Sequence, residues 1–153
     1  MDGNITIKNV PKNLISEIKN NGIENFNQKV YRVAKYGTID MRTFYNTYDE
    51  YKSENRLQYL IQKYSLNDIG TYSTSCHNSL VSPKKYIKFL KSRLKELYPN
   101  PKIIIGKTIC GLSQLSIERD PNYLDETHID WWIYDLEESC DAIFSAFKVL
   151  EEE

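Results

Sequence analysis

His128-Ile129-Asp130-Trp131-Trp132-Ile133-Tyr134 is the stretch that decides how this chain folds. Alternate residues of an extended chain point to opposite faces. Ile129, Trp131 and Ile133 therefore share one face, an apolar wall that predicts a strand seated on a core. His128, Asp130, Trp132 and Tyr134 share the other, and two readings of that face stand side by side. It is either a half-exposed sheet surface with an ordinary carboxylate, or a ligand wall. In the second reading the rings stack on a planar base and the carboxylate accepts hydrogen bonds from hydroxyls.

Upstream of this strand, elements of both kinds alternate without a strict rhythm. Asn4 to Val10 reads as a short strand and Pro11 to Asn20 as a helix with Leu14, Ile15 and Ile18 on one face. Gln28 to Tyr36 is a strand closed by Gly37. Asp40 caps a helix through Tyr51, a second carries Leu57, Leu60, Ile61 and Tyr64, and Gly70 introduces a strand from Thr71 to Ser75. Ser82-Pro83 opens a helix that ends before Pro99, with Tyr86, Phe89, Leu90, Leu94 and Leu97 as its buried stripe. Strands are expected over Lys102–Cys110 and Leu112–Arg119, and a last helix carries Ile143, Phe144, Phe147 and Leu150. Such an order predicts an α+β fold, a mixed or antiparallel sheet core with flanking helices, in a single domain over 1–153.

The 153 residues, 41% hydrophobic and 27% charged with a net charge of -1, describe a soluble globular protein. That charge argues against a nucleic-acid partner, which usually meets a basic excess. Lys84, Lys85, Lys88, Lys91, Arg93 and Lys95 form the solvated face of their helix rather than a binding patch. No signal-peptide pattern and no apolar run of membrane-spanning length is visible, so neither membrane nor secretion is expected. Cys76, Cys110 and Cys140, an odd number without a C-x-x-C pair, fit reduced thiols in a cytoplasmic protein.

Two further stretches carry chemistry. Arg32 interrupts the apolar strand Lys29-Val30-Tyr31-Arg32-Val33-Ala34 and is costly to bury unless it meets an anion. Its bland reading is a salt bridge, for instance to the Asp125-Glu126 loop. Tyr72-Ser73-Thr74-Ser75-Cys76 packs small hydroxyls ahead of a helix, as a pocket for a polar ligand requires. Its bland reading is a strand edge leading into a helix cap.

Tyr31-Arg32, then Ser73-Thr74-Ser75, then an acid on a late strand resembles, in that order, the R–S–E class of ADP-ribosyltransferases. The resemblance covers roughly residues 28 to 136. It implies an ADP-ribosyltransferase-like fold with NAD as substrate. It implies Arg32 on the NAD phosphate or ribose, Ser73 shaping the nicotinamide site with Thr74 and Ser75, and Asp130 stabilising the ribosyl transition state. His128 falls two residues before the acid, where the family influences the acceptor. Tyr31, Trp132 and Tyr134 complete the expected NAD-binding set. The family's acid is glutamate; here it is aspartate, one methylene shorter. The activity implied is transfer of ADP-ribose to a macromolecular target, or NAD cleavage. The alternative is a non-catalytic protein-binding module, such as a phage- or toxin-encoded inhibitor, anchored by Trp132 and Tyr134.

Other motifs fail. Gly106-Lys107-Thr108 lacks the earlier glycine of a phosphate loop, Pro101 standing in its place, and lies in a strand pattern. Cys76, His77, Cys110, His128 and Cys140 lack metal-ligand spacing, so no metal is expected. Neighbours on a strand, Cys76 and His77 point apart and do not pair as nucleophile and base.

Overall fold

The computed structural model describes residues 7–150 apart from 9 and 26. The expected first strand, Asn4 to Val10, falls largely outside the described residues. Six strands form one antiparallel sheet: β1 (Lys29–Ala34), β2 (Thr74–His77), β3 (Lys102–Lys107), β4 (Gly111–Leu115), β5 (His128–Ile133) and β6 (Lys148–Val149), in the order β4-β5-β2-β1-β3-β6. Helices α1 (Lys12–Asn21), α2 (Thr47–Ser53), α3 (Leu57–Lys63), α4 (Val81–Arg93), α5 (Ser116–Arg119) and α6 (Leu136–Ala146) surround it. The α+β expectation holds.

Register sorts side chains between the two faces, because directly paired residues share a face. Cys76 opposite Ile129 and Thr74 opposite Trp131 place β2 and β5 on a common wall. Val30, Phe44, Ile104, Ile143 and Phe147 complete that core. Ile129, Trp131 and Ile133 lie in it, as their alternation requires. The opposite face carries a second cluster in which Trp132 and Leu112 pack with Leu14 and Ile18 of α1 and with Ile69 and Tyr72. The ligand-wall expectation is corrected here: the His128–Tyr134 face is roofed, and Trp132 is fully buried with its Nε1 donating to the Ile69 carbonyl at 2.9 Å.

Local boundaries also differ, for identifiable reasons. Asp40 caps only a 3-10 turn, Met41–Phe44, in a capping box with Thr43, and the chain restarts at a second cap, Asn46, to form α2. Phe44 is thereby delivered to the core, which a continuous helix to Tyr51 would not achieve. The strand expected at 71–75 begins as a 3-10 turn, Ile69–Tyr72, turns extended at Ser73 and joins the sheet at Thr74. The strand expected over 112–119 ends at Leu115, where the single turn α5 swings Ser116 and Arg119 toward β5. Helix α4 starts one residue before Ser82 and ends at Arg93. Leu90 of the expected stripe is buried, together with Pro83 and Ile87, whereas Tyr86, Phe89 and Leu97 of that stripe stand exposed. Helix α6 stops at Ala146, so Phe147 plugs the core and Lys148–Val149 adds a short edge to β3.

One junction is unusual. Strands β1 and β2 share a single register pair, Tyr31 opposite His77, at the midline of the sheet. Beyond it they part, and a cleft opens there.

Candidate functional site

Arg32 shares a face with Ile104, its partner on β3, which is the face of the main core. Its guanidinium stitches the parted strands. Nη1 donates to the Ser75 carbonyl at 2.6 Å, Nε to the Thr43 carbonyl at 2.6 Å and Nη2 to the Tyr45 carbonyl at 3.5 Å. Glu50 lies 3.8 Å from Nη2. The plain reading of Arg32, a salt bridge to one of the chain's carboxylates, is met by Glu50 rather than by the Asp125-Glu126 loop, and backbone carbonyls take the closer contacts.

Ser73 and Asp130 do meet, on the other face, with the serine hydroxyl donating to Oδ1 at 2.7 Å. Asp130 is 1% exposed, and its remaining oxygen accepts from Ser116 Oγ at 3.0 Å and Arg119 Nε at 2.8 Å. Arg119 extends the chain to Asp68 at 2.9 Å. Gly70 makes room for that guanidinium, since a Cβ there would sit 2.1 Å from Arg119 Nη2. Asp130 is thus buried and met by three donors, and it does not line the cleft described below. Of the remaining expected residues, Thr74 Oγ1 donates to the Phe44 carbonyl, Ser116 Oγ lies 2.5 Å from His128 Nδ1, and Tyr134 reaches Glu24. The structure brings Ser73, His128 and Asp130 into one buried network and leaves Arg32 outside it.

The open space lies elsewhere. A cleft of about 530 Å³ enters the sheet at the β1–β2 gap, between α4 and the segment carrying α2 and α3. Arg32 and Ser75 line it; Ser73, Asp130, Trp132 and Tyr134 do not. Its walls alternate cations with rings: the Arg42 guanidinium lies 4.0 Å from the Tyr36 ring centre, Arg56 lies 4.7 Å from Tyr51, and Lys35 Nζ lies 4.8 Å from Tyr98. Lys63, Tyr64, Tyr86 and Phe89 form the outer rim.

The charges are held in place by carboxylates. Lys35, buried on the cleft wall, pairs with Glu50 and, at 2.7 Å, with Glu54. Burial lowers its pKa, but the two carboxylates outweigh burial and hold it well above the usual lysine value. Glu54 also accepts from Tyr36 at 2.7 Å, Tyr98 at 3.1 Å and Arg56 at 3.0 Å. Burial opposes its ionisation, yet Lys35 and Tyr36 bring its pKa down to about 2. Arg42 pairs with Asp40 at 3.2 Å. Five cations (Arg32, Lys35, Arg42, Arg56, Lys63) against four carboxylates (Asp40, Glu50, Glu54 and, beside His77, Asp125) leave the cleft positive in a chain whose net charge is -1.

At the other end of the cleft stands His77, with Nδ1 3.2 Å from Asp125 Oδ2. Burial, and then the neighbouring His128 ring, lower its pKa to about 4. Asp125 is fixed by Ser82 Oγ at 2.6 Å and Thr127 Oγ1 at 2.6 Å; despite burial, these bonds keep its pKa at about 2. Cys76 points into the core, and burial lifts its thiol to about 12, so it is inert as a nucleophile.

Sequence reasoning missed nearly all of this cleft. The available signal was the density of tyrosine interleaved with arginine and lysine between residues 31 and 64. No family model, curated protein or solved structure matches this chain. Among the described residues no group of three His, Cys, Asp or Glu side chains is placed to hold a metal, and no helix is long and apolar enough to cross a membrane.

Proposed function

We propose that this chain is a binding domain whose β1–β2 cleft takes an anionic ligand bearing a planar ring, a nucleotide in type, with NAD among its candidates. The observation that carries the reading is the pairing of guanidinium and ammonium groups with tyrosine rings in one cavity. Its volume falls in the range of small-molecule sites. Arginine at exposed positions such as Arg42 and Arg56 keeps donors for phosphate oxygens while its plane rests on a ring. Lys35, Glu50 and Glu54 hold the floor in one conformation, so little ordering remains to be done on binding.

Transfer of ADP-ribose is the reading implied by the resemblance, and the direct Ser73–Asp130 hydrogen bond speaks for it. The burial of Asp130 under Ser116 and Arg119 supports binding without transfer instead, because a carboxylate stabilises a developing cation only where it faces one. The test is titration calorimetry with NAD, ADP-ribose, ATP and inorganic pyrophosphate, alongside an assay of nicotinamide release. Saturable binding of at least one nucleotide, weakened about tenfold or more by Arg56→Gln or Arg42→Gln, is expected, with no nicotinamide released. Absence of nucleotide binding at millimolar concentration would overturn the reading. Nicotinamide release abolished by Asp130→Asn would replace it with the transferase.

A further inference from the structure

We propose that His77 is a hydrogen-bond acceptor in the cleft wall that selects ligands carrying a hydroxyl donor, favouring ribonucleotides over their deoxy counterparts. The inference rests on the nucleotide reading of the cleft and names what that site discriminates.

Two acceptors face Nδ1 of His77. One is the Asp125 carboxylate at 3.2 Å; the other is Thr127 Oγ1 at 3.4 Å, whose own hydrogen goes to Asp125 Oδ1. A neutral imidazole carries one N–H, and two acceptors at Nδ1 place it there. Nε2 is left with a bare lone pair, and among the described residues no donor from the protein meets it. The ring cannot turn freely to exchange its nitrogens, since His128 packs edge-on against it at 5.2 Å between centres. His128 does not compete for the role because it does not line the cleft. Asp125 is in turn anchored to α4 through Ser82, which lines the same cleft. With its side chain 19% exposed, His77 presents a fixed neutral acceptor to whatever occupies the space.

The consequence for the ligand is chemical. A cleft made only of cations and rings prefers the most negative flat molecule. An oriented acceptor adds a preference for an O–H or N–H donor close to the anion, and repels a bare phosphate oxygen lone pair. Ribose hydroxyls next to a phosphate and a base supply that donor.

The experiment is calorimetric titration of the full chain with AMP, 2′-deoxy-AMP and 3′-deoxy-AMP. One neutral hydrogen bond corresponds to a preference of roughly three- to tenfold. Wild type is expected to bind AMP more tightly than at least one deoxy form by that factor. His77→Phe keeps a ring but removes the acceptor, and should bring the ratio to about one without weakening the deoxy form. In Asp125→Asn the Thr127 N–H and hydroxyl hold the amide oxygen at the Oδ1 position, so the NH2 faces Nδ1, turns the imidazole proton onto Nε2 and makes Nε2 a donor. The ratio should again collapse, while loss of a carboxylate leaves anion binding no weaker. This second variant decides the matter should His77→Phe fail to fold. Equal wild-type affinity for all three nucleotides overturns the inference alone, as does a preference that persists in the variants. Failure of all three to bind overturns it together with the nucleotide reading.

Discussion

Replacing Arg119 with methionine tests the buried Ser73–Asp130–Ser116–Arg119 network most directly. Arg119 is 12% exposed and Asp130 1%, so the substitution leaves a carboxylate without its countercharge away from water. Removing one member of a buried pair costs about 3–5 kcal/mol. Here Asp130 keeps the Ser73 and Ser116 hydroxyls at 2.7 and 3.0 Å, which hold part of its charge, so about 2–4 kcal/mol is expected. For a domain stable by roughly 5–15 kcal/mol, that is a large fraction of the whole. With a urea slope of about 2 kcal/mol/M, the midpoint should fall by about 1–2 M at unchanged slope. Asp130→Asn should cost less, about 1–2 kcal/mol, because Arg119 retains half-exposed Asp68 and the amide still meets Ser73. The double variant should lose less than the sum of the singles, the signature of a direct contact. A loss below about 0.5 kcal/mol for Arg119→Met, or strict additivity, would refute the buried pair. Nucleotide affinity should be unchanged in all three variants, since the network does not line the cleft.

Gly70→Ala should act on the same network from the opposite side, displacing the Arg119 guanidinium and lowering the urea midpoint, with no added loss in an Arg119→Met background. Trp131→Ala, which empties the space between Phe44 and Phe147, should cost about 3–5 kcal/mol by denaturant titration. Acid should destabilise the fold in two stages. His77 and His128 have folded pKa values below the ordinary 6.5, so the unfolded chain binds the extra protons and stability falls as pH drops from about 6.5 toward 4. Glu54 and Asp125, depressed to about 2, contribute stability above their unfolded values that is lost as pH falls below about 4.5. Midpoints measured against pH should show His77→Phe reducing the first stage to the share of His128 and leaving the second.

The sheet was legible because Ile129-Trp131-Ile133 alternates with period two and Ile103-Ile104-Ile105 is a short β-branched run, patterns that favour a buried strand. The helices were legible as existing, less so in their ends. Asp40 is a genuine cap signal, yet it closes a 3-10 turn because burying Phe44 outweighs continuing the helix. The stripe on α4 was legible at Leu90 but not elsewhere, since Tyr86 and Phe89 look like core residues by type, while Pro83 and Ile87 are the other buried positions. At the site, alternation alone put Asp130 on the face opposite Ile129, but not beneath a roof. That roof is built by Arg119, whose reach depends on a single helical turn at 116–119 and on the space left at Gly70. Neither has a local pattern. The cleft was least visible, being assembled from separated cations and rings of kinds common on any surface.

The parting of β1 and β2 makes the sheet behave as two leaves joined along a spine. One leaf is β4-β5-β2 and the other is β1-β3-β6, each with a continuous ladder of its own. Behind the spine, Val30 and Ile104 of one leaf and Cys76 and Trp131 of the other share a sealed core, whereas in front the space is the cleft itself. Flexing is therefore asymmetric: the leaves can spread toward the open side while the back stays shut. Arg32 is the clasp, gripping Ser75 on the far leaf and Thr43 on the overlying turn. Lysine, with one nitrogen in place of a planar fork, would hold at most part of that grip. Backbone amides flanking Tyr31 and His77 should then exchange with solvent sooner than those at Ile104 or Ile129, and a guest pressed between α3 and α4 would slow them by bracing the book half closed.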